Sequence, residues 1–167
     1  GHNLRLTIDA KIQYLTEMAL RKGVVESKAT AGFAIVQDPN TGEILAIAVQ
    51  PTFNPNAFNR HNPSDWRNRS ITDVFEPGST MKVLVMASAL DEGSITTDQI
   101  FFCEKGLFNV ADVTIRDSKK HGWLNPARIL QVSSNIGMIK IARTLGRKGL
   151  HSRLQSFGLG KKTGLDL

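Results

Sequence analysis

The sequence predicts an α+β fold in which helices pack on an antiparallel sheet. Two short apolar runs, residues 31–37 and 43–49, are joined by Asp38-Pro39-Asn40-Thr41-Gly42, which reads as a hairpin link. Helical periodicity precedes them from Asp9 and follows them from Ser79 onward. With 167 residues, 41% of them hydrophobic and 22% charged, the chain can bury a useful core as one domain or part of one.

Each element has its local reason. Residues 3–8 read as a short strand or extended entry, and Asp9 as the cap of a helix running to about residue 25, with Ile12, Leu15 and Ala19 as its apolar face. Both strands are apolar at consecutive positions, which predicts burial on both faces. Residues 50–65 are rich in asparagine and proline and predict an irregular, docked loop. A helix opening at Ser79 carries Leu84, Val85 and Ser88 and ends near Gly93. Residues 95–121 are mixed, with a small hairpin through 107–116. Asn125 and Pro126, a cap followed by proline at the first helical position, open a helix over 126–132. Further helices follow over 135–145, with Gly146 as the stop, and 149–157.

The segment Phe75-Glu76-Pro77-Gly78-Ser79-Thr80-Met81-Lys82 places a serine and a lysine three residues apart at a helix start. Positions i and i+3 share a helix face, so the Lys82 amine is predicted to reach the Ser79 hydroxyl. A serine needs a base to take its proton as it attacks, and burial can make a lysine that base by lowering its pKa. A chain of this length holds about one such S-x-x-K pair by chance, and an ordinary helix N-cap is the competing reading of Ser79.

Val132-Ser133-Ser134-Asn135-Ile136 lies between two helical patterns. In a continuous helix Ser133 and Asn135 would point nearly opposite ways, whereas in a short extended or turn segment they point the same way. A break here presents both to one site. The alternative is a polar connection with a serine or asparagine cap.

Together these segments resemble the penicillin-binding protein and serine β-lactamase superfamily, whose sites combine S-x-x-K, S-x-N and a strand-borne K-T-G. Asp38-Pro39-Asn40-Thr41-Gly42-Glu43-Ile44-Leu45-Ala46, Phe53-Asn54-Pro55-Asn56, Arg67-Asn68-Arg69-Ser70-Ile71-Thr72-Asp73-Val74 and Leu130-Gln131-Val132-Ser133-Ser134-Asn135 look like the transpeptidase domain of the class B enzymes, in wording similar to the cell-division branch. The likeness runs from about Asn3 to Leu167. It implies a partial transpeptidase-like fold and a peptidoglycan D,D-transpeptidase acting through an acyl-serine. Ser79 is then the nucleophile, Lys82 the general base, Ser133 a proton relay to the leaving group, and Asn135 a hydrogen-bonding partner of the substrate amide. The implied partners are peptidoglycan stem peptides, β-lactam antibiotics and division-complex proteins, with no cofactor.

One match is refused. Lys162-Thr163-Gly164 spells the third motif, but it follows Ser133 by only 29 residues, no strand-like run flanks it, and the chain stops three residues after Gly164. The expectation is therefore that residues 1–167 are the N-terminal part of the transpeptidase domain, without the K-T-G strand, and are inactive or nearly so by themselves. The inner strand of the sheet should then expose an open edge and an apolar face, so that either two copies pair through the edge or the active-site side is disordered.

The net charge of +6 and pI near 9.7 do not point to nucleic acid, since the basic residues are dispersed and only two tryptophans and one tyrosine could stack bases. His2, His61, His121 and His151 show no metal-ligand spacing. Cys103 is the only cysteine, so no intrachain disulfide forms. No apolar run is long enough to cross a bilayer and no signal peptide is visible, so the resemblance implies a periplasmic catalytic part separated from its inner-membrane anchor. Two other functions are consistent with the residues. A β-lactamase or β-lactam sensor would use the same serine and lysine, and rapid turnover of the acyl-enzyme would mark the lactamase. In a non-catalytic interaction module, Ser79 and Asn135 would be caps only.

Overall fold

A computed structural model of the chain describes residues 2–164, which form two compact units, residues 2–75 and 76–164. In the first, Asp9 accepts the N–H groups of Lys11 and Ile12, both at 2.9 Å, and so caps α1, Ala10–Ser27. Strand β1, Gly32–Gln37, pairs antiparallel with β2, Ile44–Gln50. The Asp38 carboxylate accepts the N–H of Asn40 at 2.7 Å, and Gly42 closes the turn at φ +78°, a conformation glycine adopts without penalty. Residues 3–8 form no strand; the Asp9 N–H instead donates to the Leu45 carbonyl at 3.0 Å.

The apolar face expected on α1 is corrected. Ile12 is half-buried, but Leu15 and Ala19 are exposed, Leu15 by 54%. The packed row is Ile12, Thr16, Leu20 and Val24, at i+4 spacing. Gln13 sets this rotation: its amide accepts the Ile47 N–H at 2.9 Å and donates to the Ile47 carbonyl at 2.8 Å, which also seals the outer edge of β2. Cross-strand partners share a sheet face, so Gly32, Ala34, Ala46 and Ala48 lie together. Their small size admits the helix closely, since a Cβ on Gly32 would stand 2.9 Å from Val24 and 3.2 Å from Leu20. Ala46 and Ala48 are buried there, whereas Ile35 on the opposite face is 45% exposed. Burial on both faces therefore fails for β1, because α1 covers one face only. Among the described residues β1 pairs on one side only, and its other edge is open as expected.

The loop after β2 contains turns at Pro55–Arg60 and Pro63–Asp65. It leads into a single helical turn, α2, Arg69–Thr72, which is too short to leave a periodic signal. Asp73 follows it and pairs with Arg67 at 3.1 Å and Arg69 at 3.0 Å.

The second unit opens with the turn Gly78–Thr80 and α3, Met81–Asp91. Strand β3, Phe101–Phe102, pairs with β6, Trp123–Leu124; the hairpin of β4, Leu107–Val110, and β5, Val113–Arg116, has the expected bounds. Asn125 caps α4, Pro126–Gln131, by accepting the Arg128 N–H at 2.9 Å. Helix α5, Asn135–Ser156, is broken at Gly146, which stands at φ 66° and ψ 168°, so both helices expected there are present. Met86, Ala89, Phe101, Ile129, Ile136 and Ile141 meet in the core of this unit. There α4 and α5 touch through Gly137, where a Cβ would fall 2.6–2.9 Å from the fully buried Ile129. Gly137→Ala is expected to lower the unfolding free energy by about 1–3 kcal/mol in urea melts. Ile129→Val in the same chain should recover part of that loss, and an unchanged midpoint would show that the two helices separate freely.

Candidate active site

Gly78, at φ +55°, turns the chain into the Gly78–Thr80 turn, which leaves Ser79 exposed just ahead of α3 and Lys82 half-buried in its first turn. The second contribution comes from the joint between α4 and α5. Ser133 adopts φ +54°, a left-handed conformation that a non-glycine residue takes only where its surroundings hold it. Its N–H donates to the Leu130 carbonyl at 3.1 Å, closing α4. Ser134 is 1% exposed and caps α5 by accepting the Gly137 N–H at 2.9 Å. This break points Ser133 and Asn135 the same way, as the sequence predicts for a non-helical segment.

Both side chains converge on Lys82. Its Nζ donates to the Ser133 carbonyl at 2.6 Å, to Ser133 Oγ at 2.9 Å and to Asn135 Oδ1 at 2.7 Å, three acceptors for three N–H donors. Ser133 Oγ in turn donates to Ser79 Oγ at 3.0 Å. The expected direct contact between Lys82 and Ser79 is therefore replaced by a chain that passes through Ser133: among the described residues no hydrogen bond joins the amine to the Ser79 hydroxyl. Neither Ser79 nor Asn135 is a cap. Ser134 caps α5, and α3 starts without a side-chain cap.

Burial pushes the Lys82 amine below its ordinary value of 10.5, and the Asp117 carboxylate opposes that shift. A lowered pKa enlarges the neutral fraction near pH 7, the form that can accept a proton. An open cleft of about 350 Å³ lies alongside, lined by Lys82, Arg116, Asn135 and Met138 among others. Lys162-Thr163-Gly164 lies in no strand, in accord with its refusal as the third motif. Leu165, Asp166 and Leu167 lie outside the described residues.

Asp117 also belongs to the site, although it stands outside both sequence motifs. Its carboxylate receives the Ser134 hydroxyl at 2.6 Å and the N–H groups of Asn135 at 2.6 Å and Ile136 at 3.1 Å. These bonds span 17 to 19 residues, and no local periodicity announces them.

A family model described as the penicillin binding protein transpeptidase domain matches residues 32–167. The chain is 39% identical over 167 residues to peptidoglycan D,D-transpeptidase FtsI of Escherichia coli K12, covering 100% of this chain and 28% of that protein. A crystal structure of a peptidoglycan glycosyltransferase from Burkholderia ambifaria matches at a TM-score of 0.86 and 37% identity, over 98% of this chain and 48% of that one. The apo transpeptidase domain of Burkholderia pseudomallei penicillin-binding protein 3 matches at 0.85 and 35%, over 100% of this chain and 46% of that one. The likeness bears out an α+β arrangement of the transpeptidase-domain type.

The Lys82 shift has a consequence for stability. Between its lowered folded pKa and 10.5 the unfolded chain binds more protons than the folded one, so stability should rise with pH through that window. Cys103, whose thiol burial pushes up from 9.0, acts in the opposite direction but is common to wild type and Lys82→Met. The difference in unfolding free energy between these two chains, measured from pH 7 to pH 10, should therefore move in favour of wild type as pH rises. A flat difference would contradict the shift.

Proposed function

The chain belongs to the penicillin-binding protein transpeptidase family, and from that premise we propose that it is the N-terminal part of a peptidoglycan D,D-transpeptidase domain that cross-links stem peptides by an acyl-serine mechanism. The observation that carries the proposal is the hydrogen-bonded chain from Ser79 Oγ through Ser133 Oγ to Lys82 Nζ. The chain spans 28% of the E. coli relative and just under half of each solved neighbour, which supports reading it as part of a longer catalytic domain.

In this mechanism Ser79 Oγ attacks the carbonyl between the two terminal D-alanines of a stem peptide. With Lys82 neutral the two hydroxyls turn, Ser79 Oγ–H donating to Ser133 Oγ and Ser133 Oγ–H to the Lys82 lone pair, and the Ser79 proton passes along that chain to the amine. As the tetrahedral intermediate collapses, the C–N bond breaks, the same relay returns the proton to the departing D-alanine amine, and a serine ester remains. An amine of a neighbouring stem then attacks that ester, its proton passing through Lys82 and Ser133 to Ser79 Oγ as the ester C–O bond breaks, which forms the cross-link and frees Ser79. Asn135 spends its Oδ1 on Lys82 and one Nδ2–H on the Arg116 carbonyl at 2.8 Å, which leaves its second Nδ2–H for the substrate amide. The Ser79 N–H is one oxyanion donor; the family resemblance assigns a second to the K-T-G strand, and loss of one such donor costs about a hundredfold or more in rate. β-Lactams would acylate the same serine.

The similarity to FtsI and to penicillin-binding protein 3 favours a role in septal wall synthesis with division-complex partners. The catalytic part would then stand in the periplasm, held by an inner-membrane anchor. Among the described residues no helix is long and apolar enough to cross a membrane. The open edge of β1 supports pairing of two isolated copies; sedimentation that stays monomeric up to high concentration would remove that pairing.

In the longer protein, intact-mass measurement after exposure to a penicillin is expected to show one lasting ester adduct that Ser79→Ala abolishes. Residues 1–167 alone should acylate at least about a hundredfold more slowly. An unmodified Ser79 in the longer protein would overturn the proposal, and rapid loss of the adduct would favour a hydrolase.

A further inference from the structure

We propose that Asp117 is a positioning residue for acyl transfer: it clamps the start of α5 so that Ser133 and Asn135 meet Lys82, and it presents a negative charge toward that amine. The inference rests on the acyl-serine reading of Ser79 and Lys82.

The clamp is visible atom by atom. Asp117 directly follows β5, and one carboxylate oxygen receives both the Asn135 and Ile136 N–H groups. The other receives the hydroxyl of Ser134, which itself takes the Gly137 N–H. The first three N–H groups of α5 are thus held by Asp117 directly or through Ser134, where otherwise they would face solvent or remain unpaired. One residue earlier, the Arg116 carbonyl takes Asn135 Nδ2 and so turns Oδ1 toward Lys82. Between α4, closed by the Ser133 and Ser134 N–H groups, and this clamp, Ser133 is left in its left-handed conformation with both of its oxygens on Lys82. The hairpin of β4 and β5 thereby fixes a joint that lies between two helices.

The electrostatics follow from the same placement. Lys82 Nζ is bonded to Ser133 and Asn135 and acted on by the Asp117 charge, Ser79 lies one hydroxyl further on, and Arg116 lines the cleft beside the amine. The Asp117 and Lys140 charges also act on Cys103, whose thiol burial pushes above its ordinary range. Burial lowers the Lys82 pKa while Asp117 raises it, so the carboxylate limits how far the amine is deprotonated. Geometry and charge therefore act in opposite directions: loss of the clamp slows acylation, whereas loss of the charge alone frees the base at lower pH.

Asp117→Asn removes the charge while its amide oxygen can still accept the Asn135 and Ile136 N–H groups; only the Ser134 hydroxyl loses its acceptor, because the amide NH2 is a donor. The test measures the second-order rate of penicillin acylation across pH in the longer protein, together with the Lys82 Nζ titration by NMR. In Asp117→Asn both the acidic limb of the rate profile and the Lys82 titration should move to lower pH. Asp117→Ala should lose about 10–100-fold of the plateau rate through misplacement of Ser133. A helix cap with a structural role only would lower the melting temperature and leave the acidic limb in place, so a folded Asp117→Asn with both limb and titration unmoved overturns the proposal, whether or not Asp117→Ala folds. If wild type forms no Ser79 adduct, the acyl-serine reading falls instead. The Lys82 titration then decides alone: a shift upholds the placement of Asp117 and no shift overturns it.

Discussion

The Lys82 ammonium is the constraint around which the second unit is arranged. A half-buried amine with three donors must find three acceptors or lose more to desolvation than it gains from packing. Here all three come from one short stretch, the carbonyl and hydroxyl of Ser133 and the amide oxygen of Asn135. This arrangement requires α4 to end and α5 to begin within two or three residues, with a left-handed residue at the joint.

That joint is held from several sides. Apolar packing of α3 on α5 brings Met86 and Ala89 against Ile136 and Ile141 and so sets the height of Lys82. The close approach at Gly137 locks α4 against α5. Asp117 and Ser134 satisfy the helix-start N–H groups that the break leaves bare. The nucleophile is reached last, through the Ser133 hydroxyl, which accepts from Lys82 and donates to Ser79. Ser133 is thus more central than its place as the second motif suggests: its hydroxyl is the one bridge between the Lys82 amine and the Ser79 hydroxyl among the described residues.

The hairpin unit shows the same division between local and distant causes. Its turn was legible because Asp38 and Gly42 act on their immediate neighbours. The sequence does not distinguish the faces of α1, because Leu15 and Ala19 have apolar spacing as good as that of Leu20 and Val24. The Gln13 amide on Ile47, a contact across 34 residues, chooses between the two rows. An apolar β1 predicts Ile35 inside, but α1 covers the face of Gly32, Ala34, Ala46 and Ala48, and the single turn of α2, which also touches the hairpin, leaves Ile35 45% exposed.

By itself the sequence determined the features that depend on a few consecutive residues: the caps at Asp9 and Asn125, the two hairpins, the break at Gly146, and the placing of Ser79 one turn from Lys82. It also showed that Ser133 and Asn135 would share a direction if the helix broke between them. Tertiary structure alone decided that the amine rests on Ser133 and Asn135, with Ser79 one hydroxyl further on, and that Asp117 stands behind both. The physical reason is separation: hydrogen bonds across 17 to 54 residues, and the burial that lowers the Lys82 pKa, depend on how helices and hairpin pack, and no local spacing encodes that distance.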